Sequence, residues 1–233
     1  MLNQAFEALK KFDFGTPLSE LQAIEDAVIG AHGDSTLRSD LEARLIAALG
    51  TDISRDAKDY VCRKLAVIGS SAAVSALADL MSSEANAHLA RHALERIPGP
   101  EAAAALATAV TSLNGKLKIG AIASIGARGD AAGVAALASL LQDTDAVVAR
   151  AAAMSLGSIG GSEAAAALQA AAQSATGGKG FLMDALLSCA ESLLRTNKVE
   201  AATAIYQSLA GDQPSRLIRL AATRGLLACA AKA

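Results

Sequence analysis

A short motif recurs four times along the chain and constrains its fold more than any other feature. It has the form Leu/Ile-x-x-Ile-Gly/Pro, and successive copies lie 29, 28 and 34 residues apart, with isoleucines at Ile68, Ile97, Ile125 and Ile159. Each copy is followed by an alanine-rich stretch that ends in a leucine, at Leu77, Leu106, Leu137 and Leu168. Self-similarity at a fixed period of about 20–50 residues is typical of repeat architectures.

Each copy predicts the end of one helix and the start of the next. The first and last apolar residues of the motif lie three apart and share one helical face. The Gly or Pro that follows each isoleucine ends the helix, because Gly suits a left-handed helix end and Pro cannot continue the hydrogen-bond ladder. Pro100 fits the first position of the helix that follows. The clear repeats predict helices at 54–68, 71–82, 87–97, 100–113, 116–126, 130–142, 146–159 and 162–174. Such short helices are marginal alone in water, so the pairs must stack as a solenoid.

Looser periodicity extends this pattern to both ends of the 233 residues. We expect fourteen helices in about seven antiparallel pairs, all in one array over 1–233, with capping pairs in 1–53, clear repeats in 54–175 and divergent pairs in 176–233. The 57 alanines and 31 leucines favour helices over strands. We expect Ser35 or Thr36 to cap the third helix and Gly177–Gly180 to form a loop. The three phenylalanines Phe6, Phe12 and Phe14 are predicted to fill the core of the first pair.

Charge is distributed unevenly along the chain, although the formal net charge is only −2. Residues 1–60 carry eleven acidic and six basic residues, whereas residues 61–128 carry seven basic and four acidic ones. The middle segment is either a set of ordinary solvated faces or a modest basic stripe. We expect no nucleic-acid partner, because the chain lacks both a strong basic footprint and aromatic residues for base stacking.

Cysteine usage and hydropathy bear on the compartment. Cys62, Cys189 and Cys229 are far apart and odd in number, which favours buried structural thiols over disulfides or a zinc site. We find no signal peptide and no apolar run approaching the ~18 residues of a membrane span. We therefore expect no membrane association and a cytoplasmic protein, or a periplasmic one if the chain is cut from an exported protein.

The repeat units resemble HEAT repeats, in particular the short bacterial type first noted in bilin lyases. The resemblance rests on alanine-rich helices ending in Ile-Gly, preceded by acidic loops such as 142–145 and an arginine such as Arg150. It is good over 54–175 and weak over 1–53 and 176–233. It implies a right-handed superhelix of the armadillo-like kind, with the second helix of each pair lining a concave face.

Candidate binding residues follow from position within the repeat. Counting back nine from each motif isoleucine gives one column, and counting back five or six gives a second, which together comprise Asp59, Arg63, His88, Arg91, His92, Lys116 and Arg150, along with Cys62. The resemblance implies that such columns either face the groove as a partner-binding surface or tie repeats together in an Asp–Arg ladder, for instance Asp143 or Asp145 with Arg150.

Enzymatic signals are weak. His88 and His92 lie one turn apart and both rings could reach one metal ion, but a third ligand, Asp59 or Glu95, would have to join them. We favour two partly exposed histidines without a metal. Iron hydroxylases built on HEAT arrays use His-Glu pairs as ligands, and this chain has no His-Glu dipeptide.

We therefore interpret the chain as a non-catalytic scaffold without a cofactor. It would bind a protein or an acidic peptide on its concave face, either as a free module or as a domain of a larger protein. Two alternatives stay open at this point. One is a bilin lyase-like or cofactor-chaperone module, and the other is an architectural spacer beside a sugar-acting catalytic domain.

Overall fold

The computed structural model of the protein describes residues 1–175, 180–211 and 215–232. Within these residues all regular structure is helical. The α-helices, in chain order, are α1 (Leu2–Leu9), α2 (Gln22–Gly30), α3 (Ser35–Leu49), α4 (Arg55–Ile68), α5 (Val74–Leu80), α6 (Ala87–Arg96), α7 (Pro100–Ser112), α8 (Gly115–Arg128), α9 (Val134–Ala138), α10 (Ala146–Ile159), α11 (Gly161–Ser174), α12 (Gly180–Arg195), α13 (Val199–Ala210) and α14 (Arg216–Ala230). The predicted all-α class and the fourteen helices are confirmed.

The chain divides into two compact units, Met1–Ser124 and Ile125–Ala233. In the first unit α2 packs on α4 and α4 on α6 in one layer, while α5 packs on α7 in the other. In the second unit α10 packs on α12 and α12 on α14, while α9 packs on α11. Within each unit, therefore, helices pack on their counterparts in neighbouring pairs, as in a solenoid. The single array over 1–233 and its division at 53 and 175 stay a prediction.

The core of each repeat is built from the motif leucines. The first residue of every motif copy is fully buried, at Leu65, Leu94, Ile122 and Leu156. The leucine that ends each alanine-rich stretch is also fully buried, at Leu77, Leu106, Leu137 and Leu168. Burying such a side chain contributes roughly 1.5–3 kcal/mol. The repeat period seen in the sequence is therefore the period of the core.

The motif glycines owe their identity mainly to contacts with the next repeat. Only Gly160 has the left-handed backbone expected of a helix end, with φ of +69°. Gly69 has φ of −62°, and Gly126 lies inside α8 rather than after it. A Cβ on Gly69 would collide with the carbonyl oxygen of Leu65 in the preceding turn and would also lie 2.9 Å from Cδ1 of Ile97, whereas a Cβ on Gly126 would lie 2.8 Å from Cβ of Ser155. Glycine lets the next repeat approach closely, so the predicted left-handed end was wrong at these two positions.

A polar clamp joins α3 to the end of α4 across one repeat. The Arg38 Nε donates to the carbonyl of Ile68 at 2.7 Å. One turn later, the buried Glu42 carboxylate accepts from the backbone N–H and the hydroxyl of Ser70 at 2.6 and 2.9 Å. These bonds satisfy backbone groups at the end of α4, where the helix itself leaves carbonyls without partners.

Some helix boundaries differ from the sequence prediction. The cap of α3 is Asp34, whose carboxylate accepts from the N–H groups of Thr36 and Leu37, rather than Ser35 or Thr36 themselves. The helices expected at 71–82 and 130–142 begin with 3₁₀ turns and end early, at Leu80 and Ala138. Pro100 begins α7 as predicted. The loop predicted at Gly177–Gly180 lies outside the described residues except for Gly180, which begins α12.

The phenylalanine prediction is right for two residues and wrong for the third. Phe6 and Phe12 are buried, whereas Phe14 is 94% exposed. Phe6 lies under the Arg44 guanidinium at 4.1 Å, and Phe12 contacts the Tyr60 ring at 6.1 Å between centroids. These two rings therefore join the first helix pair to the second pair, and Phe14 takes no part.

The three cysteines are buried free thiols, in agreement with the sequence interpretation. Burial raises the pKa of the Cys62 thiol to about 12, with a smaller contribution from the Asp59 carboxylate, and burial alone raises that of Cys189 to about 12. In the part of the chain described, none of the helices combines the length and hydrophobicity needed to cross a bilayer.

Gly126→Ala tests the close approach of neighbouring repeats. In an exposed helix this change stabilises by about 0.5–1 kcal/mol. Here the added methyl would collide with Ser155, and overpacking typically costs about 1–3 kcal/mol, so we expect a net loss of about 1–2 kcal/mol in urea denaturation. Gly30→Ala, whose Cβ would lie 3.5 Å from Leu37, serves as the control and should be neutral or stabilising. A stabilised Gly126→Ala variant would contradict the contact.

Thiol reactivity tests the burial of the cysteines. The thiolate is the reactive form, and with a pKa of about 12 only about one thiol in ten thousand is ionised at pH 8. We expect Ellman's reagent to react negligibly with Cys62 and Cys189 in the folded protein at pH 8. All three thiols should react within minutes in 6 M guanidinium chloride. Rapid modification of either residue in the folded protein would show that the site opens locally.

Candidate functional site

Four of the residues that the sequence analysis selected line one cleft between α4 and α6. The cleft has a volume of about 320 Å³, and we call it the histidine cleft; it is lined by Arg55, Asp59, Cys62, Arg63, His88 and His92, with Leu89. The residues on α4 lie at 55, 59, 62 and 63 and those on α6 at 88, 89 and 92, which places each set along one face of its helix. The repeat period brings the two faces together.

Arginine dominates the charge of the histidine cleft. Arg55 and Arg63 have side chains that are 57% and 67% exposed, and Asp59 is the one carboxylate of the lining. The Arg63 Nε donates to the Asp59 carboxylate at 2.9 Å, and the Arg55 Nε donates to the Ala85 carbonyl at 3.2 Å. Both guanidinium groups keep further N–H donors for a ligand, since each has five.

A second cleft lies on the other side of Asp59 and Arg63. Its volume is about 470 Å³, and we call it the acidic cleft; its lining includes Asp13, Phe14, Leu18, Glu25, Asp56 and Asp59. The bases Arg63 and Lys64 also line it. Lys64 forms an ion pair with Glu25 at 2.6 Å and lies 4.9 Å from the centre of the Tyr60 ring. Asp59 and Arg63 thus form a ridge between an acidic cleft and a basic one.

Arg91 is turned to α8 and serves the packing of two repeats. Its Nη1 donates to the Gly120 carbonyl at 2.8 Å and to the Ser124 hydroxyl at 3.2 Å. The Ser124 hydroxyl in turn donates to Glu95 at 2.6 Å. Burial lowers the pKa of Arg91, against the opposing effect of the Glu95 carboxylate. Arg91 and Glu95, one turn apart, form a second polar clamp like that of Arg38 and Glu42.

The other two selected residues lie elsewhere. Lys116 is exposed in the first turn of α8. Arg150, on α10 in the second unit, is exposed, and its guanidinium lies 6.0 Å from the centre of the Phe181 ring. Asp145, which the ladder hypothesis pairs with Arg150, caps α10 by accepting from the Val147 N–H. Two of the contacts across repeats are the Arg–Glu clamps, which a search for an i, i+4 arginine and glutamate could have found.

His88 and His92 lie one turn apart on α6 and both line the histidine cleft. Among residues 1–175, 180–211 and 215–232, no three His, Cys, Asp or Glu side chains come together as a metal site. Glu95, one of the two proposed third ligands, is engaged by Ser124. The sequence analysis missed Arg55 as part of the cleft, because it lies thirteen residues before the motif isoleucine and was not counted.

Comparison with known proteins bears on the repeat type. Residues 105–178 match the family model for HEAT repeats, whereas no curated protein sequence matches the chain significantly. Among solved structures, human deoxyhypusine hydroxylase in complex with glycerol is similar at 18% identity and a TM-score of 0.41, over 99% of this chain and 96% of that one. An engineered protein is similar at 20% identity and a TM-score of 0.35, over 97% of both chains. The match over residues 105–178 supports the HEAT-repeat recognition made from the motifs.

Proposed function

We propose that this helical-repeat scaffold is non-catalytic and binds an acidic protein segment at the histidine cleft. The observation that carries the proposal is the convergence of Arg55, Arg63, His88 and His92 from two adjacent helices on one cleft of about 320 Å³. Arginine is enriched in the residues that dominate binding energies, and its planar fork binds carboxylates with two parallel hydrogen bonds.

The charge balance of the cleft favours a negatively charged ligand. Two arginines, Arg55 and Arg63, face a single carboxylate of the lining, Asp59. Asp59 already pairs with Arg63, so an incoming carboxylate must share Arg63 with it. The affinity of the cleft for acidic segments is therefore held down by a residue of the protein itself.

The chemistry of the lining supports binding rather than catalysis. Cys62 is the one thiol of the cleft, and its pKa of about 12 keeps it protonated at neutral pH, whereas a nucleophilic cysteine needs a lowered pKa. The cleft is also an open surface between two helices, which suits a peptide or a helix of a partner. A scaffold of stacked repeats needs no reactive group to bind such a segment.

Charge reversal in the cleft tests the proposal directly. The probe is a fluorescein-labelled twelve-residue peptide of Asp, Glu and Leu, and the readout is fluorescence anisotropy in 50 mM and 300 mM salt. We expect Arg55→Glu with Arg63→Glu to weaken binding at least tenfold and to reduce its salt dependence, since both exposed charges act on the ligand. Arg96→Glu, at an exposed arginine in the last turn of α6, reverses one charge outside the cleft, serves as the control and should stay within about twofold.

Two outcomes would overturn the proposal. One is the absence of wild-type binding up to 1 mM peptide at low salt. The other is equal loss of affinity in the Arg96→Glu control, which would indicate attraction by the general field rather than by the cleft. Circular dichroism of each variant shows whether the helices are retained.

Asp59→Asn provides a test with the opposite sign. Removing the carboxylate leaves the Arg63 guanidinium without its internal partner and raises the positive charge of the cleft, so we expect the same peptide to bind about three- to tenfold more tightly. A surface ion pair of this kind contributes about 0–1 kcal/mol to stability, so the melting temperature should change little. Unchanged or weaker peptide binding by a folded Asp59→Asn variant would show that Asp59 does not compete with the ligand.

A further inference from the structure

The last described helix, α14, carries a stripe of leucines that lies in solvent. Leu217, Leu220 and Leu227 are 77%, 58% and 69% exposed. At 100° per residue they lie on one face, opposite the buried face formed by Ile218 and Ala222. An exposed apolar stripe of this kind on a folded protein is typical of an interaction surface.

The charge of this helix is entirely positive. Residues 215–232 contain Arg216, Arg219, Arg224 and Lys232 and no acidic residue. Arg224 lies within the leucine stripe, one turn from Leu220, and Arg216 borders it. A partner for α14 must therefore combine an apolar surface with negative charge.

The acidic cleft has both properties, and its apolar part is also exposed. Phe14 and Leu18 are 94% and 64% exposed at its edge. Its two bases are occupied, Lys64 by Glu25 and Arg63 by Asp59. Asp13 and Asp56 supply the remaining negative charge of the lining, and the Asp56 carboxylate also lies 3.9 Å from the Arg55 guanidinium.

The outward position of Phe14 is fixed by its loop. Gly15 adopts φ of +86°, and the Asp13 and Thr16 backbones are joined by a hydrogen bond of 2.9 Å. The Asp13 carboxylate accepts from the Phe14 N–H at 2.8 Å. The Ser54 hydroxyl holds the loop to α4 through the Phe12 carbonyl at 2.6 Å. An aromatic ring that is held in solvent by several local bonds is a preformed contact for a partner.

We propose that α14 of one copy of this chain docks into the acidic cleft of a second copy. Leu217, Leu220 and Leu227 would cover Phe14 and Leu18, and Arg216 and Arg224 would face Asp56 and Asp13. This is a helix-in-groove contact between two different surfaces, so it joins copies head to tail. The proposal goes beyond partner binding at the histidine cleft and does not depend on it.

Docking of α14 into the acidic cleft of a second copy is favoured over a pairing of the α14 helices of two copies, because two purely basic helices repel each other. The contact covers one helix and one cleft, and interfaces below about 1,200 Å² are typical of weak complexes. We accordingly expect a dissociation constant on the order of 10–100 µM for an interface of this size class. The association should weaken with salt, since it depends on exposed charges.

Sedimentation velocity of the full chain from 1 to 500 µM tests the association. We expect the average mass to rise with concentration in 50 mM salt and the association constant to fall at least tenfold in 500 mM salt. Leu217→Gln with Leu227→Gln should weaken the association at least tenfold, and both residues are exposed, so the fold should be retained. A monomer throughout this range would overturn the proposal.

A charge exchange identifies the two surfaces. Arg216→Glu with Arg224→Glu should abolish association alone, and so should Asp13→Asn with Asp56→Lys, in which Asn keeps the hydrogen-bond acceptor of the loop. Mixing the two variants should restore association to within about threefold of wild type. Arg195→Glu with Lys198→Glu, two exposed bases on the same unit, changes the net charge equally and should associate like the wild type.

Two other results would also overturn the proposal. If the α14 variants abolish association but the cleft variants do not, α14 binds another surface. If the wild type stays monomeric and α14 instead mediates binding to vesicles of phosphatidylserine and phosphatidylcholine in a flotation assay, the stripe is a membrane contact.

Discussion

The packing of each repeat on the next is the constraint on which the rest of the structure depends. None of the helices that the structure describes has enough apolar surface to be stable alone, so each pair must be covered by a neighbour. Covering a helix pair requires the next repeat to approach it closely. Gly69 and Gly126 have no side chain, which leaves room for Ile97 and Ser155 of the next repeat. The alanine-rich composition follows from the same requirement, because small side chains keep neighbouring helices close.

Polar side chains then divide into two groups according to whether the packing uses them. Arg38, Glu42, Arg91 and Glu95 are bonded across repeats and fix the register of neighbouring helices. Arg55 and Arg63, by contrast, are largely exposed, although the Arg55 Nε also donates to the Ala85 carbonyl of the next repeat. The division matters for function, since the charges available to a ligand are those left over from packing. The histidine cleft and the acidic cleft meet at the Asp59–Arg63 ridge, so one pair of residues borders two surfaces of opposite charge.

The periodic features were predictable from the sequence, and the features that depend on a single neighbour were not. The leucine and isoleucine positions follow from helical spacing, and all of them are buried as expected except Ile159, which is half-buried. Counting positions within the repeat also selected Asp59, Arg63, His88 and His92, which share a cleft. The same count selected Arg91, but only the proximity of Gly120 and Ser124 turns that side chain inward. Phe14 was placed in the core by composition alone, whereas a turn at Gly15 directs it outward.

The local character of the polar contacts has a consequence for how the chain acquires its structure. The hydrogen bonds between repeats join residues about one repeat apart, such as Arg38 to Ile68 and Arg91 to Gly120. Low contact order of this kind favours fast folding, and nucleation can begin at any repeat and spread in both directions. Within each unit we expect opening to be correspondingly graded, because helices covered on one side need less free energy to open than those covered on both.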